Sequence, residues 1–143
     1  MYKRDDLLLK IANKENITLF GVSAKYVDAL RKTRKNFKKV YELKKLRTIC
    51  STGSPLSADC FKYVYKNIKK NVHLASISGG TDIVSCFVLG NLYQPVHAGE
   101  IQSKGLGMDV RVFNEKGKSI LNQKGELVCV NPFPSMPSKF WND

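Results

Sequence analysis

The sequence has little histidine and lacks the recognised residue spacings that hold metals or activate nucleophiles. It contains two histidines, His73 and His97, and four cysteines, Cys50, Cys60, Cys86 and Cys129. No CxxC pair and no Cys/His cluster occurs among them, so the usual zinc frameworks are excluded. The serine-hydrolase elbow Gly-x-Ser-x-Gly is missing too. So is the phosphate loop Gly-x-x-x-x-Gly-Lys-Ser/Thr, and the pair Gly105 and Gly107 lacks the third glycine of a dinucleotide fingerprint. No apolar run approaches the ~20 residues of a membrane span. The first residues have acids beside only a four-residue apolar run and do not read as a secretory signal. Buried free thiols in a cytoplasmic protein are the expectation.

Acidic side chains are also scarce, at 12 against 24 basic ones, for a formal net charge of +12 in 143 residues. The excess is uneven. Residues 1–70 carry 18 basic and 6 acidic groups, whereas residues 71–143 carry 6 of each. A basic half-chain raises nucleic-acid binding as one reading. The other is a solvated lysine-rich helical surface, which the spread of lysines over several amphipathic segments favours. The alternation at 61–66 of aromatics with lysines is absorbed by a helical stripe, with Tyr63 left over as the spare aromatic.

What is present has an α/β grammar. Residues 2–15 read as a helix with Leu7, Leu8 and Ile11 on one side. Residues 17–20 read as a short buried strand stopped by Gly21. Ser23 can cap a helix with Tyr26, Val27 and Leu30 on one face. A second strand is expected at 46–50, and Ser57 caps a helix whose Phe61, Val64, Tyr65 and Ile68 follow core-facing spacing. A third strand follows at 72–77. Strand, helix, strand, helix, strand predicts a partial parallel α/β layer. Beyond it, strands at 83–88, 110–113 and 126–130, set between glycine-bearing turns, predict a small, mostly antiparallel β subdomain. The expected division is 1–90 and 91–143. His73 is read as a structural strand residue and His97 as a loop residue.

Two loops at strand ends carry the chemistry. Open α/β sheets bind ligands beyond the carboxyl ends of their strands. In Ser78, Gly79, Gly80, Thr81 and Asp82, two glycines let backbone approach a ligand. The Thr81 hydroxyl can reach a phosphate oxygen, and the Asp82 carboxylate is a hard ligand for Mg2+. A plain tight turn uses the same residues. In 51–57, Gly53 and Pro55 present a backbone edge to which a planar heterocycle could pair; a simple loop leading to a helix cap is the other reading.

The order of these segments resembles the adenylate-forming acyl-CoA synthetase superfamily, most closely its acetoacetyl-CoA synthetases. Residues 20–26 resemble the acyl-pocket segment and 51–56 the loop along the adenine. Residues 78–83 stand where the family has its core Thr-Glu motif. The stretches 95–102, 105–108, 125–128 and 140–143 continue the series. The resemblance implies that Gly53, Ser54 and Pro55 lie along the adenine and that Ser78, Gly79 and Gly80 lie between nucleotide and acyl chain. It implies that Thr81 contacts the α-phosphate and that Asp82 handles Mg2+, both in catalytic roles. A Trp closes the pocket of related acetyl-CoA synthetases about where Gly79 stands, so Gly79 implies room for a longer acyl group. ATP, CoA and Mg2+ are the implied cofactors, and acetoacetate or a related short carboxylate the implied substrate; no nucleic-acid or membrane partner is called for.

The family's phosphate loop ending in Pro-Lys, its ribose-binding Asp and its C-terminal lysine domain have no counterpart among these residues. The chain therefore reads as an internal segment of the large N-terminal domain, inactive alone unless the rest of the synthetase is supplied. A basic nucleic-acid-binding module and a remnant without function are the alternatives.

Overall fold

The computed structural model describes residues 6–142. Three three-stranded sheets follow one another along the chain. The first is parallel: β1 (Leu19–Ser23), β2 (Thr48–Thr52) and β3 (His73–Ser76) lie side by side in chain order. Gly21, Cys50 and Ala75 form one cross-strand row. The first strand runs through Gly21 rather than stopping there, because the ladder to β2 continues as far as Ser23 opposite Thr52. The second strand lies two residues later than its apolar pattern suggests.

Helices α1 (Leu7–Lys14), α2 (Ala24–Lys32) and α3 (Ala58–Tyr63) join this sheet in one core. Ser23 Oγ accepts the Tyr26 N–H at 3.1 Å, and Ser57 Oγ accepts that of Cys60 at 3.3 Å, so both expected caps are made. Residues 2–5 of the expected first helix lie outside the described part. Within it, the apolar side anticipated from Leu7, Leu8 and Ile11 faces outward, each residue 41–45% exposed, while Leu9 and Ala12 are buried. Polar anchoring explains the rotation. Tyr41 donates its O–H to Asp6 Oδ2 at 2.8 Å, and Asn13 Oδ1 accepts the Leu43 N–H at 2.9 Å. Positions 6, 9 and 13 share a helix face, so these bonds turn Leu9 inward.

Tyr63 is not a spare aromatic. It is buried, and its O–H donates to the Lys35 carbonyl at 2.9 Å. The helix widens into a π-turn over Val64–Ile68, closed by the Lys69 N–H on the Val64 carbonyl at 3.0 Å. Tyr63 and Val64 are buried together where α3 meets that turn.

Past Ser76 the pairing becomes antiparallel. β4 (Ser78–Gly80), β5 (Ser85–Leu89) and β6 (Ser103–Lys104) form the second sheet. β7 (Val110–Phe113), β8 (Ser119–Ile120) and β9 (Glu126–Cys129) form the third, with β7 central. Ile83, Met108 and Val110 make a second, smaller core against Phe87, Val88, Cys129 and Phe133. The two-residue strands β6 and β8 are too short to leave a periodic trace in the sequence. Ser78–Gly80, read as loop, is a strand.

Candidate functional site

The carboxyl ends of β2 and β3 open into a cavity of about 470 Å3. Thr52, Gly53, Ser54, Pro55 and Leu56 form one side, and Ser76, Ile77, Ser78 and Gly79 another. Val88, Gly99, Ile101 and Leu127 close it from the antiparallel sheets and the loop before β6. Two loops 25 residues apart in sequence thus meet because parallel neighbours must end on the same side. Gly53 holds φ at +81° with no atom within 4 Å of where a Cβ would stand. Its conformation, not crowding, calls for glycine.

Gly79 is a different case. A Cβ there would lie 2.2 Å from the Ser85 carbonyl oxygen and 2.7 Å from Cys86 Cα. β4 bulges against β5 between Ser78 and Gly79, and the backbones approach too closely for a side chain. The missing side chain thus has a cause in the strand crossing itself.

Of the candidate residues, Gly53, Ser54, Pro55, Ser78 and Gly79 line the cavity together. Gly80, Thr81 and Asp82 do not line it. They are exposed at the β4–β5 turn, which the Val84 N–H closes on the Thr81 carbonyl at 3.1 Å. Ile83, buried in the second core, anchors that turn. Among the described residues no cluster of three or more His, Cys, Asp or Glu forms a metal cage. A lone exposed carboxylate such as Asp82 suits a Mg2+ ion whose other ligands are phosphate oxygens and water. Val88, Gly99, Ile101 and Leu127 were not singled out as pocket residues. Gly99, Ile101 and Leu127 fall within the motif stretches, but their approach depends on sheet packing that local pattern does not encode.

The electrostatics of the cavity are simple. Its lining holds hydroxyls, backbone amides and apolar side chains, and no Lys or Arg. The residue 20–26 segment lies elsewhere: Ala24 and Lys25 border a separate cavity of about 270 Å3 with Ser54, Pro55 and Ser57. Phe20 and Tyr26 pack edge to face, ring centroids 6.2 Å apart. All four thiols are free; Cys60 alone is fully buried, while Cys50, Cys86 and Cys129 are half-buried. Burial, and then the nearby Cys86, push the Cys50 thiol up, which keeps it protonated at neutral pH.

No protein-family model matches the chain. Individual proteins do. An acetoacetyl-coenzyme A synthetase of Rhizobium meliloti (strain 1021) is 55% identical over 138 residues, and the acetoacetyl-CoA synthetase of Xenopus tropicalis 45%. The match takes in 96% of this chain in each case. The chain is homologous to a segment of the acetoacetyl-CoA synthetases. It spans about a fifth of the length of these relatives, 21% and 20%. The solved acetoacetyl-CoA synthetase from Streptomyces lividans superposes on 99% of the chain with a TM-score of 0.87 at 39% identity, using 22% of that structure. An anthranilate CoA ligase, solved with anthranoyl-AMP, shares the fold over 89% of the chain at 15% identity and a TM-score of 0.68, using 24% of its own length. The mixed architecture, one parallel sheet followed by antiparallel ones, is thus that of a segment of an adenylate-forming enzyme. No helix among the described residues is long and apolar enough to cross a membrane.

Proposed function

We propose that this chain is part of an acid–thiol ligase that activates acetoacetate, or a related short carboxylate, with ATP and passes the acyl group to CoA. One observation carries the reading: residues 52–56 and 76–79 meet in a single cavity at the carboxyl ends of adjacent parallel strands. In this reading Gly53, Ser54 and Pro55 lie along the adenine, and Ser78, Gly79 and Gly80 lie between nucleotide and acyl chain. Thr81, exposed at the β4–β5 turn outside the cavity lining, would donate its hydroxyl to an α-phosphate oxygen of a nucleotide that extends beyond the cavity. Asp82 would hold Mg2+, which supplies neutralisation of phosphate charge.

The chemistry asked of these residues is positioning. A carboxylate oxygen attacks the α-phosphorus of ATP, pyrophosphate leaves, and the CoA thiol then displaces AMP from the acyl carbon. Holding nucleotide and carboxylate in line contributes most when the developing charge is also neutralised. The cavity has no cation of its own, so the isolated 143 residues position without neutralising. They are inactive alone, and residues 1–90 and 91–143 serve as α/β and β-rich parts of one AMP-binding domain in the cytoplasm.

The deciding assay is ATP–pyrophosphate exchange with acetoacetate. No exchange is expected from the isolated chain, together with saturable binding of a non-hydrolysable acyl-AMP analogue. Exchange by the chain alone overturns the inactivity, and failure to bind the analogue overturns the assignment of the cavity.

A further inference from the structure

One side chain makes five polar contacts beside the cavity, and none of them belongs to a residue assigned a role above. Gln102 lies just after Ile101, which lines the cavity. Its Nε2 donates to the carbonyls of Asn91 at 2.9 Å, Gln94 at 2.8 Å and Pro95 at 3.2 Å. Its Oε1 accepts the Asn91 N–H at 3.0 Å and sits 2.7 Å from His73 Nε2. Three carbonyls around one nitrogen fix which way the amide points. His73 must then carry its proton on Nε2, because the Gln102 oxygen can only accept.

This is a splint across a loop with no ladder of its own. Between β5 and β6 the chain runs from Gly90 to Gln102 without a strand or a helix. Gln102 ties the beginning of that loop to its end, and through His73 ties both to the first residue of β3. The surroundings leave little room for an alternative packing. A Cβ at Gly90 would meet the His73 ring at 2.7 Å and Ala75 Cβ at 2.6 Å. On its far side the loop brings Gly99 to the start of α3, with Ala58 Cβ 3.5 Å from where a Gly99 Cβ would stand.

We infer that Gln102 is a positioning residue: by clamping residues 91–95 and His73 it holds Gly99 and Ile101 as one wall of the cavity. It touches no ligand and acts through the loop. The consequence for nucleotide binding rests on the adenine reading proposed above; the consequence for the wall does not. The hydrogen bonds carry the effect, not the volume of the side chain. Gln102→Met keeps the volume and loses every bond, and Gln102→Glu keeps the two acceptor contacts and loses the three donated ones.

The test uses the whole 143-residue chain, with amide hydrogen exchange across 91–102 and AMP titration as paired measurements. Gln102→Met and Gln102→Glu are expected to speed exchange over 91–102 while leaving β1, β2 and β3 unchanged. AMP binding is expected to weaken by roughly tenfold, the equivalent of one good hydrogen bond's worth of preorganisation. Gln102→Asn, with the same groups on a shorter stem, should lie between these variants and the parent. Unchanged exchange in Gln102→Met overturns the clamp. Faster exchange with unaltered AMP affinity overturns its role in the cavity. If the parent chain does not bind AMP, the adenine reading fails by itself, and the exchange data still decide the clamp.

Discussion

Two of the three glycines that line the cavity, Gly53 and Gly79, separate two ways in which a residue type can be dictated. Gly53 occupies a left-handed backbone conformation in open space, so Gly53→Ala is expected to cost about 1–2 kcal/mol through backbone strain. Gly79 has an unexceptional φ and no space. Gly79→Ala must push β5 away, and a loss of about 1–3 kcal/mol is expected. Denaturant titration of the two variants gives the costs. Chemical-shift mapping separates them further, since only Gly79→Ala should move Ser85 and Cys86.

Acid sensitivity at this scale falls on two carboxylates, Asp28, held low by its hydrogen bonds with Lys32 and Arg31, and Asp109. Arg111 donates to both its carboxylate oxygens, at 3.0 and 2.8 Å, and Asn131 adds a bond at 2.9 Å. The hydrogen bond from Arg111 is the main cause holding its carboxyl below the ordinary range. A depressed folded value means stability that is present above the unfolded value of about 3.9 and lost as pH falls through the folded one. Thermal melts between pH 7 and pH 3 should therefore show a decline below about pH 4, and Asp109→Asn should make it shallower, with Asp28 accounting for a remaining part.

Elements show where pattern reading succeeds and where it stops. The caps at Ser23 and Ser57 were legible because a hydroxyl accepting an N–H three residues on is a local event. The parallel sheet followed from strand–helix alternation. The orientation of α1 was not legible. Leu7, Leu8 and Ile11 out-number Leu9 and Ala12 as apolar signals, yet long-range bonds to Tyr41 and Leu43 set the face. Tyr63 was hidden for a related reason, since its partner, the Lys35 carbonyl, lies 28 residues away in sequence. For the site, the loops could be found, but the far wall at Val88, Ile101 and Leu127 comes from packing between sheets. Leu9→Ala is expected to lose about 2–5 kcal/mol, whereas Leu8→Lys should change stability little. Equilibrium unfolding of the pair reads the orientation of α1 directly.

At the level of the whole molecule, apolar surface is left in view. Besides the α1 face, Leu19, Leu127, Val130, Phe140 and Trp141 are exposed. Patches of this kind mark surfaces that associate, and the curated relatives are about five times longer than this chain. The isolated chain is therefore expected to self-associate at high concentration. Light scattering should show less association for a Leu8→Lys, Ile11→Lys double variant. An unchanged association would move the sticky surface to the antiparallel sheets.

The order of the first sheet has a bearing on how such a chain comes into being. β1, β2 and β3 neighbour one another in the order in which they are made, and every residue of the larger core's buried set falls between Leu9 and Leu74. Of the residues packed around it only Val96 lies beyond β3, so a nascent chain can assemble nearly all of that core once β3 is made. Synthesis proceeds at about 5–20 residues per second, and domains fold as units during it. The parallel layer can thus be in place seconds before the antiparallel sheets exist. Gly79, Gln102 and the far wall are then added to a floor that has already set.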